Sequence, residues 1–289
     1  MAGRRIGYSS MTENPETRRT CTTAMPRSII YIWVSLILFA AVLYAVLHIY
    51  TVGNFGQLER EVTARNVKRL LRAVEDRRNY INSKASDWAA WDDAYQFVQD
   101  RNERFIRTNI VLSAFTGVDL NLIAYTDNSG QIVHAKWYDN RTRALGPVPP
   151  DVVEAVEGCR YLTIHRNVTS SVSGILLIDQ GPMLVASRPV ITSNEEGPIR
   201  GSLIFGRLLD AREVNSLSRL IGVAASIRRL KDGPLPKDVA SARRRMWRSG
   251  QVIIRPINRN VIAGYSLIDD IYEKPVLIAR IEMQRSIYN

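Results

Sequence analysis

Between residues 29 and 52 the chain carries no Asp, Glu, Lys or Arg. As a helix this run extends about 36 Å, enough to cross a hydrocarbon core of about 30 Å with some tilt. A cleaved secretory leader would have a shorter apolar region, of about 7–15 residues, with a small-x-small site behind it. Here the run is longer, and Tyr50-Thr51-Val52-Gly53-Asn54 is a poor cleavage site. The pattern is that of an uncleaved signal anchor over residues 28–52. Arg4, Arg5, Arg18, Arg19 and Arg27 precede it against Glu13 and Glu16. An excess of arginine marks the cytoplasmic side, so residues 1–27 are expected there as a tail. Residues 53–289 are then extracytoplasmic, on a chain that spans the cytoplasmic membrane once. Tyr31, Trp33, Tyr44 and Tyr50 lie near the ends of the run, as interfacial aromatics do.

The residues that follow bound what the anchor holds. Gly53 and Gly56 permit a bend, after which no Pro or Gly occurs from residue 57 to residue 100. Leu58, Val62, Leu70, Val74, Ile81, Ala85 and Trp88 recur at multiples near 3.6 and form one apolar stripe, with charges on the other faces. One stalk helix over 53–100 is expected. Its stripe either packs on the downstream domain or forms the seam of a parallel homodimer, and different segments can do each.

Composition narrows the function classes. Hydrophobic residues make up 46% and charged residues 23% of the chain, proportions that exclude global disorder. The net charge is +11, but arginines are scattered over helix faces and only Arg243-Arg244-Arg245 forms a dense run. A nucleic-acid surface would concentrate them with aromatics on one element, so no nucleic-acid partner is expected. Cys21 and Cys159 fall on opposite sides of the apolar run and cannot pair across a bilayer. His48, His134 and His165 are far apart, and no Cys/His spacing fits a metal, so neither metal nor cofactor is expected.

Downstream, the pattern is α/β of the α+β kind. Residues 119–126 and 131–138 read as a hairpin around Asp127-Asn128-Ser129-Gly130. Pro149-Pro150-Asp151 opens a short helix to about Glu157. Strands follow at 174–179, 183–191 and 199–209, giving the order of a PAS-like or Cache-like antiparallel sheet in a core of residues 101–209. Such a sheet would bury one face on the stalk and leave a pocket on the other. Asp210 suits the N-cap of a helix over 211–220. A strand at 223–229, a helix to about Arg248 and strands at 251–258, 261–268 and 275–283 make a smaller membrane-proximal subdomain of residues 210–289.

Within the stalk, Asp87-Trp88-Ala89-Ala90-Trp91-Asp92-Asp93-Ala94-Tyr95 combines rings with carboxylates. On a continuous helix Trp88, Trp91 and Tyr95 share a face, and Asp92 lies close to it. Such a set can cage a cationic or polyol ligand, or the tryptophans can be core with the aspartates capping helix ends. The run Asp87-Trp88-Ala-x-Trp91-Asp92-Asp93-x-Tyr95-x-Phe97-Val98 resembles the signature of the CHASE domain of type 4. Ser187-Arg188-Pro189-Val190 with Gly197–Arg207 resembles its central strand pair. Ile271-Tyr272-Glu273-Lys274-Pro275 and Met283-x-Arg285-x-Ile287-Tyr288 resemble its closing strand and exit. The resemblance covers about residues 55–289. It implies a periplasmic sensor of a prokaryotic membrane receptor, with no fixed ligand for the family. Members normally continue into a second span and a histidine kinase or diguanylate cyclase. This chain ends at Asn289, so it reads as a receptor fragment or as a standalone anchored sensor.

Catalysis finds no support in the residues. Asp92 and Asp93 point about 100° apart on a helix and cannot flank one bond as a glycosidase pair does. There is no G-x-S-x-G elbow, no H-E-x-x-H and no phosphate loop. The expectation is a non-enzymatic sensor of a small polar ligand, with Trp88, Trp91, Asp92, Tyr95 and Arg188 as candidate ligand-binding residues. Arg188 could take a ligand carboxylate bidentately or pair with Asp92. The alternative is a membrane-anchored structural or interaction protein with no ligand.

Overall fold

The computed structural model describes residues 27–285. Residues 1–26 and the motif positions Ile287 and Tyr288 lie outside the described residues. The chain divides into two units, Met1–Asn54 and Phe55–Asn289.

In the first unit every described backbone residue belongs to helix α1 (Arg27–Ala89), and Gly53 lies within it, as Gly56 does beyond. Among the described residues no helix is long and apolar enough to cross a membrane. The side chains described from residue 31 to residue 47 are all exposed, Tyr31, Phe39 and Tyr44 each by about 70%.

The second unit is built on two antiparallel sheets that share α1. Helices α2 (Asp92–Asp100), α3 (Glu103–Asn109) and α4 (Leu112–Val118) precede the first sheet. Strands β1 (Leu122–Asp127), β2 (Ile132–Asp139) and β3 (Ala144–Gly146) come next, then helices α5 (Pro150–Glu157) and α6 (Arg160–Thr163). Strands β4 (Val172–Ile178), β5 (Gly181–Pro189) and β6 (Gly201–Leu208) complete a sheet of order β3-β2-β1-β6-β5-β4. Helix α7 (Ala211–Ile221) leads to β7 (Ala224–Arg229), α8 (Lys237–Arg243), β8 (Ile253–Pro256), β9 (Val261–Asp269) and β10 (Pro275–Gln284), in the order β7-β10-β9-β8. The hairpin, α5, and α7 with its Asp210 cap follow the sequence reading. The Asp210 carboxylate accepts from Glu213 N at 2.9 Å. Helix α8 stops at Arg243, five residues short of the expected Arg248, and α3, α4, α6 and β3 carried no clear sequence signal.

The strands of the first sheet alternate, but both faces are buried. Ile123, Tyr125, Leu184, Ala186, Leu203 and Phe205 enter the core that contains α1. Leu122, Ala124, Met183, Val185 and Ile204 enter a second core with Val152, Val156, Cys159 and Leu162 of α5 and α6 and the turn between them. The expected open pocket on the far face is therefore filled. Near-continuous apolar runs such as Leu122-Ile123-Ala124-Tyr125 are what strands covered on both sides require.

The stalk stripe is spent inside this unit. Val67, Leu70, Val74, Ile81, Ala85 and Ala89 are buried against the two sheets. Beyond residue 56 the large apolar side chains α1 leaves exposed are Leu58 and Tyr80. The helix comes closest to the second sheet at Gly264, where a Cβ would stand 2.5 Å from Val67 Cγ2. Gly201 is needed for a different reason: its φ is +155°, and a Cβ would meet the Thr126 carbonyl oxygen at 1.8 Å. The loop between β9 and β10 also reaches the first sheet, Ile271 N donating to Ile175 O of β4 at 2.9 Å. The last described strand returns to the start of the domain, where Arg285 Nε pairs with Glu59 at 3.1 Å.

Candidate functional site

The aromatic-acidic run does not form one helix. α1 ends at Ala89, and Trp91 is extended, with φ −142° and ψ 126°, before α2 begins at Asp92. No Gly or Pro lies there; the break is imposed from outside. Ala90 bridges in parallel to Ile191, and Ile191 N donates to Ala89 O at 3.1 Å. Asp92 and Ser193 then bond reciprocally, Asp92 N to Ser193 Oγ at 3.1 Å and Ser193 N to the Asp92 carboxylate at 2.9 Å. The loop after β5 thus satisfies backbone groups that a continued helix would have used internally. The shared face of Trp88, Trp91 and Tyr95 inferred from helical spacing is accordingly absent.

Each candidate has its own surroundings. Trp88 is half-buried edge-on to Phe205, with centroids 5.5 Å apart. Trp91 leans on Phe105 at 5.8 Å, and Phe105 stacks on Phe97 at 4.5 Å and meets Tyr125 edge-on. Tyr95 accepts from Arg200 Nε at 3.1 Å, and that guanidinium lies 5.7 Å from the Tyr95 ring centroid. Asp92 is exposed, and Ser193, not Arg188, is its partner. Arg188 is half-buried and donates through Nε to Asn82 Oδ1 on α1 at 3.0 Å.

Arg188 lines a cavity of about 190 Å³ with Ser86 and Ala89 of α1, Ala90 just past its end, and Val168 and Thr169 of the loop before β4. Trp88, Trp91, Asp92 and Tyr95 are not among its walls. Glu195 borders it, yet no carboxylate among the described residues forms an ion pair with Arg188. Burial holds the Arg188 guanidinium below its ordinary value. Asn82 also accepts from Ser171 Oγ at 3.1 Å, so one amide oxygen ties α1 to β5 and to the loop before β4.

His165 fixes the same loop. Ser187 Oγ donates to Leu162 O at 2.5 Å, so it must accept from His165 Nε2–H at 2.9 Å. Nδ1 is then the acceptor facing Ser170 Oγ at 2.8 Å. Burial, helped by the nearby Arg188 charge, lowers the His165 pKa to about 4, so the ring is neutral at ordinary pH. Sequence reading passed over Asn82 and His165. Asn82 and Ser86, four apart beside the apolar stripe, were a readable signal on α1; His165 had none. Among the described residues no group of three or more His, Cys, Asp or Glu is placed to hold a metal ion.

A family profile, that of the CHASE4 domain, matches residues 73–228, more than half of the chain. The chain belongs to the CHASE4 family. A relative outside the structures is the methanogenesis regulatory histidine kinase FilI of Methanothrix harundinacea (strain 6Ac), 25% identical over 235 residues. That match takes in 81% of this chain and 26% of the kinase, so the chain spans about a quarter of the relative's length. Two solved structures share the CHASE4 chain's fold. One is the extracellular domain of a candidate histidine kinase, vpHK1S-Z8, at TM-score 0.51 and 14% identity, covering 81% of this chain and 92% of that one. The other is a domain of a candidate sensory box/GGDEF family protein from Vibrio parahaemolyticus, at TM-score 0.51 and 15% identity, covering 78% and 95%. Mixed α/β architecture with antiparallel sheets is common to all three, and a CHASE4 domain is a sensory, non-catalytic module.

Proposed function

We propose that this chain is the extracytoplasmic ligand-sensing part of a membrane-bound signal-transduction receptor. Residues 28–52 anchor it in the cytoplasmic membrane, residues 101–209 form the sensor core, and residues 210–289 form the membrane-proximal subdomain. The exposed apolar side chains at 31–47 and the arginine-rich residues before them support that topology.

The observation that carries the reading is Arg188. A half-buried guanidinium at a cavity, held at Nε by an uncharged amide and lacking a carboxylate, is arranged to receive an anionic group from outside. The ligand on this reading is a small polar metabolite bearing a carboxylate. Ser86 lies on α1 and Arg188 is tied to α1 through Asn82, so a ligand held by them bears on the helix whose other turns pack on both sheets. Occupancy then favours one packing of α1 over another, and the helix reports it toward the membrane. Pairing of two stalks into a homodimer belongs to the same reading, with Leu58 and Tyr80 as its outward apolar contacts. A kinase-type or cyclase-type output, carried by a separate segment, completes the receptor. Trp88, Trp91 and Tyr95 serve it by holding α1, α2 and the loop after β5 in register, and Asp92 by its bond to that loop.

The test uses the full chain in detergent and a panel of acetate, pyruvate, succinate and the amino acids, read by thermal shift. A ligand at about ten times its Kd adds about 1.4 kcal/mol, a rise of roughly 3–6 °C for a domain of this size. At least one compound is expected to give it, and Arg188→Gln to remove it while the unliganded Tm holds. A flat response to the whole panel favours the structural protein without a ligand.

A further inference from the structure

A second cavity, of about 320 Å³, lies away from Arg188. It opens between α4, the start of β1, the ends of β2 and β6, and α7, with Arg77 reaching in from α1. Phe115, Leu120 and Tyr138 give it an apolar side. Four arginines line it, Arg77, Arg207, Arg212 and Arg219, against three carboxylates.

Asp210 is fully committed, while Glu213 Oε1 is buried with no hydrogen-bond partner although it lies within ion-pair distance of Arg77. Asp210 caps α7 through one oxygen and accepts from Asn140 Nδ2 through the other at 3.0 Å. Glu213 is buried and shared, bonded to Arg207 Nη2 and 3.1 Å from Arg77 Nε. Asp119 is 60% exposed and stands 3.6 Å from Arg207 Nη2. Four guanidinium groups therefore face three carboxylates. Arg207 is only 6% exposed, and its Nη1 is buried with no hydrogen-bond partner. Arg212 and Arg219 are exposed on α7 and form no ion pair among the described residues. A cavity lined by the buried Arg207 and by two further guanidinium groups that hold no carboxylate offers charge-assisted donors to an anion.

We propose that this junctional cavity is a second ligand site, for a small organic or inorganic polyanion carrying carboxylate or phosphate groups. Arg207 and Arg77 bind the anion at the base, and Arg212 and Arg219 close over it from α7. The position gives the site a consequence. α7 follows β6 of the first sheet and packs against β7 of the second, so an anion there bears on how the two sheets seat against each other.

The test is isothermal titration of the full chain in detergent with three probes: citrate, malonate and inorganic phosphate. At least one is expected to bind, and which of them does distinguishes a carboxylate from a phosphate ligand. The double substitution Arg212→Ala with Arg219→Ala removes only exposed side chains and leaves the buried pair intact. It is expected to weaken binding by about ten- to a hundredfold, the loss of one or two charge-assisted hydrogen bonds. The component of binding that the double variant removes is expected to remain in Arg188→Gln, which separates this site from the cavity at the end of α1. Absence of binding by all three probes, undiminished binding in the double variant, or loss in Arg188→Gln of the component that the double variant removes would each overturn the proposal.

Discussion

Protonating His165 should loosen the loop that walls the Arg188 cavity. In the fold its Nε2–H is donated to Ser187 and its Nδ1 faces Ser170, an arrangement that suits the neutral ring. Burial and the Arg188 charge lower its pKa from 6.5 to about 4. Because the folded value lies below the unfolded one, the unfolded chain takes up the proton first as pH falls. The stabilisation is therefore whole above about pH 6.5 and is lost progressively toward pH 4. The difference between 6.5 and about 4, at 1.36 kcal/mol per pH unit, sets a ceiling of about 3 kcal/mol. The ring is only partly buried, and solvent screening reduces this to about 1–2 kcal/mol. Urea denaturation of the wild type and of His165→Gln should be compared between about pH 7.5 and about pH 4.5. The substitution keeps a donor near Ser187 but cannot titrate, so the wild type should lose about 1–2 kcal/mol more than the variant across that window. Parallel loss in the two proteins would refute the claim that the fold holds this imidazole neutral.

Two further outcomes follow from packing and from the helix break. Gly264→Ala drives a methyl into Val67 and should cost about 1–3 kcal/mol. In a Val67→Ala background the same change should cost clearly less, and equal penalties by denaturant unfolding would mean that α1 does not seat on the second sheet there. Asp92→Ala and Ser193→Ala each break an exposed hydrogen-bond pair and should cost about 0.5–1 kcal/mol, with the double variant costing little more than either. Full additivity in that cycle would mean that the two residues do not act as a pair.

Much of the architecture was legible because its causes are local. Asp210 at an N-cap, Pro149-Pro150-Asp151 ahead of a short helix, and Asp127-Asn128-Ser129-Gly130 between apolar runs all act within a few residues of themselves. The apolar stripe of the stalk was legible too, although spacing alone left open whether a sheet or a second stalk would cover it. The candidate site was less so. Arg188 was singled out through a motif resemblance, but its partner Asn82 stands 106 positions away, and the loop carrying His165 closes the cavity from a third part of the chain. Three arginines of the junctional cavity fall within residues 207–219, but only the fold brings Arg77 of α1 to them.

By itself the sequence determined the uncharged run at 29–52, the order of the principal strands with helices α5 and α7, and a family signature centred on residues 87–98. Composition and nearest-neighbour chemistry are sufficient causes for those features. Tertiary structure alone decided that the signature is broken in the middle. Ala89-Ala90-Trp91-Asp92 has every local reason to stay helical, and it ends because Ile191 and Ser193 offer its backbone better-placed partners. It also decided that both faces of the first sheet are filled, and that the two arginine-lined cavities lie at strand ends and helix ends. There polar groups from distant segments meet, and packing leaves some of their hydrogen-bonding capacity unused.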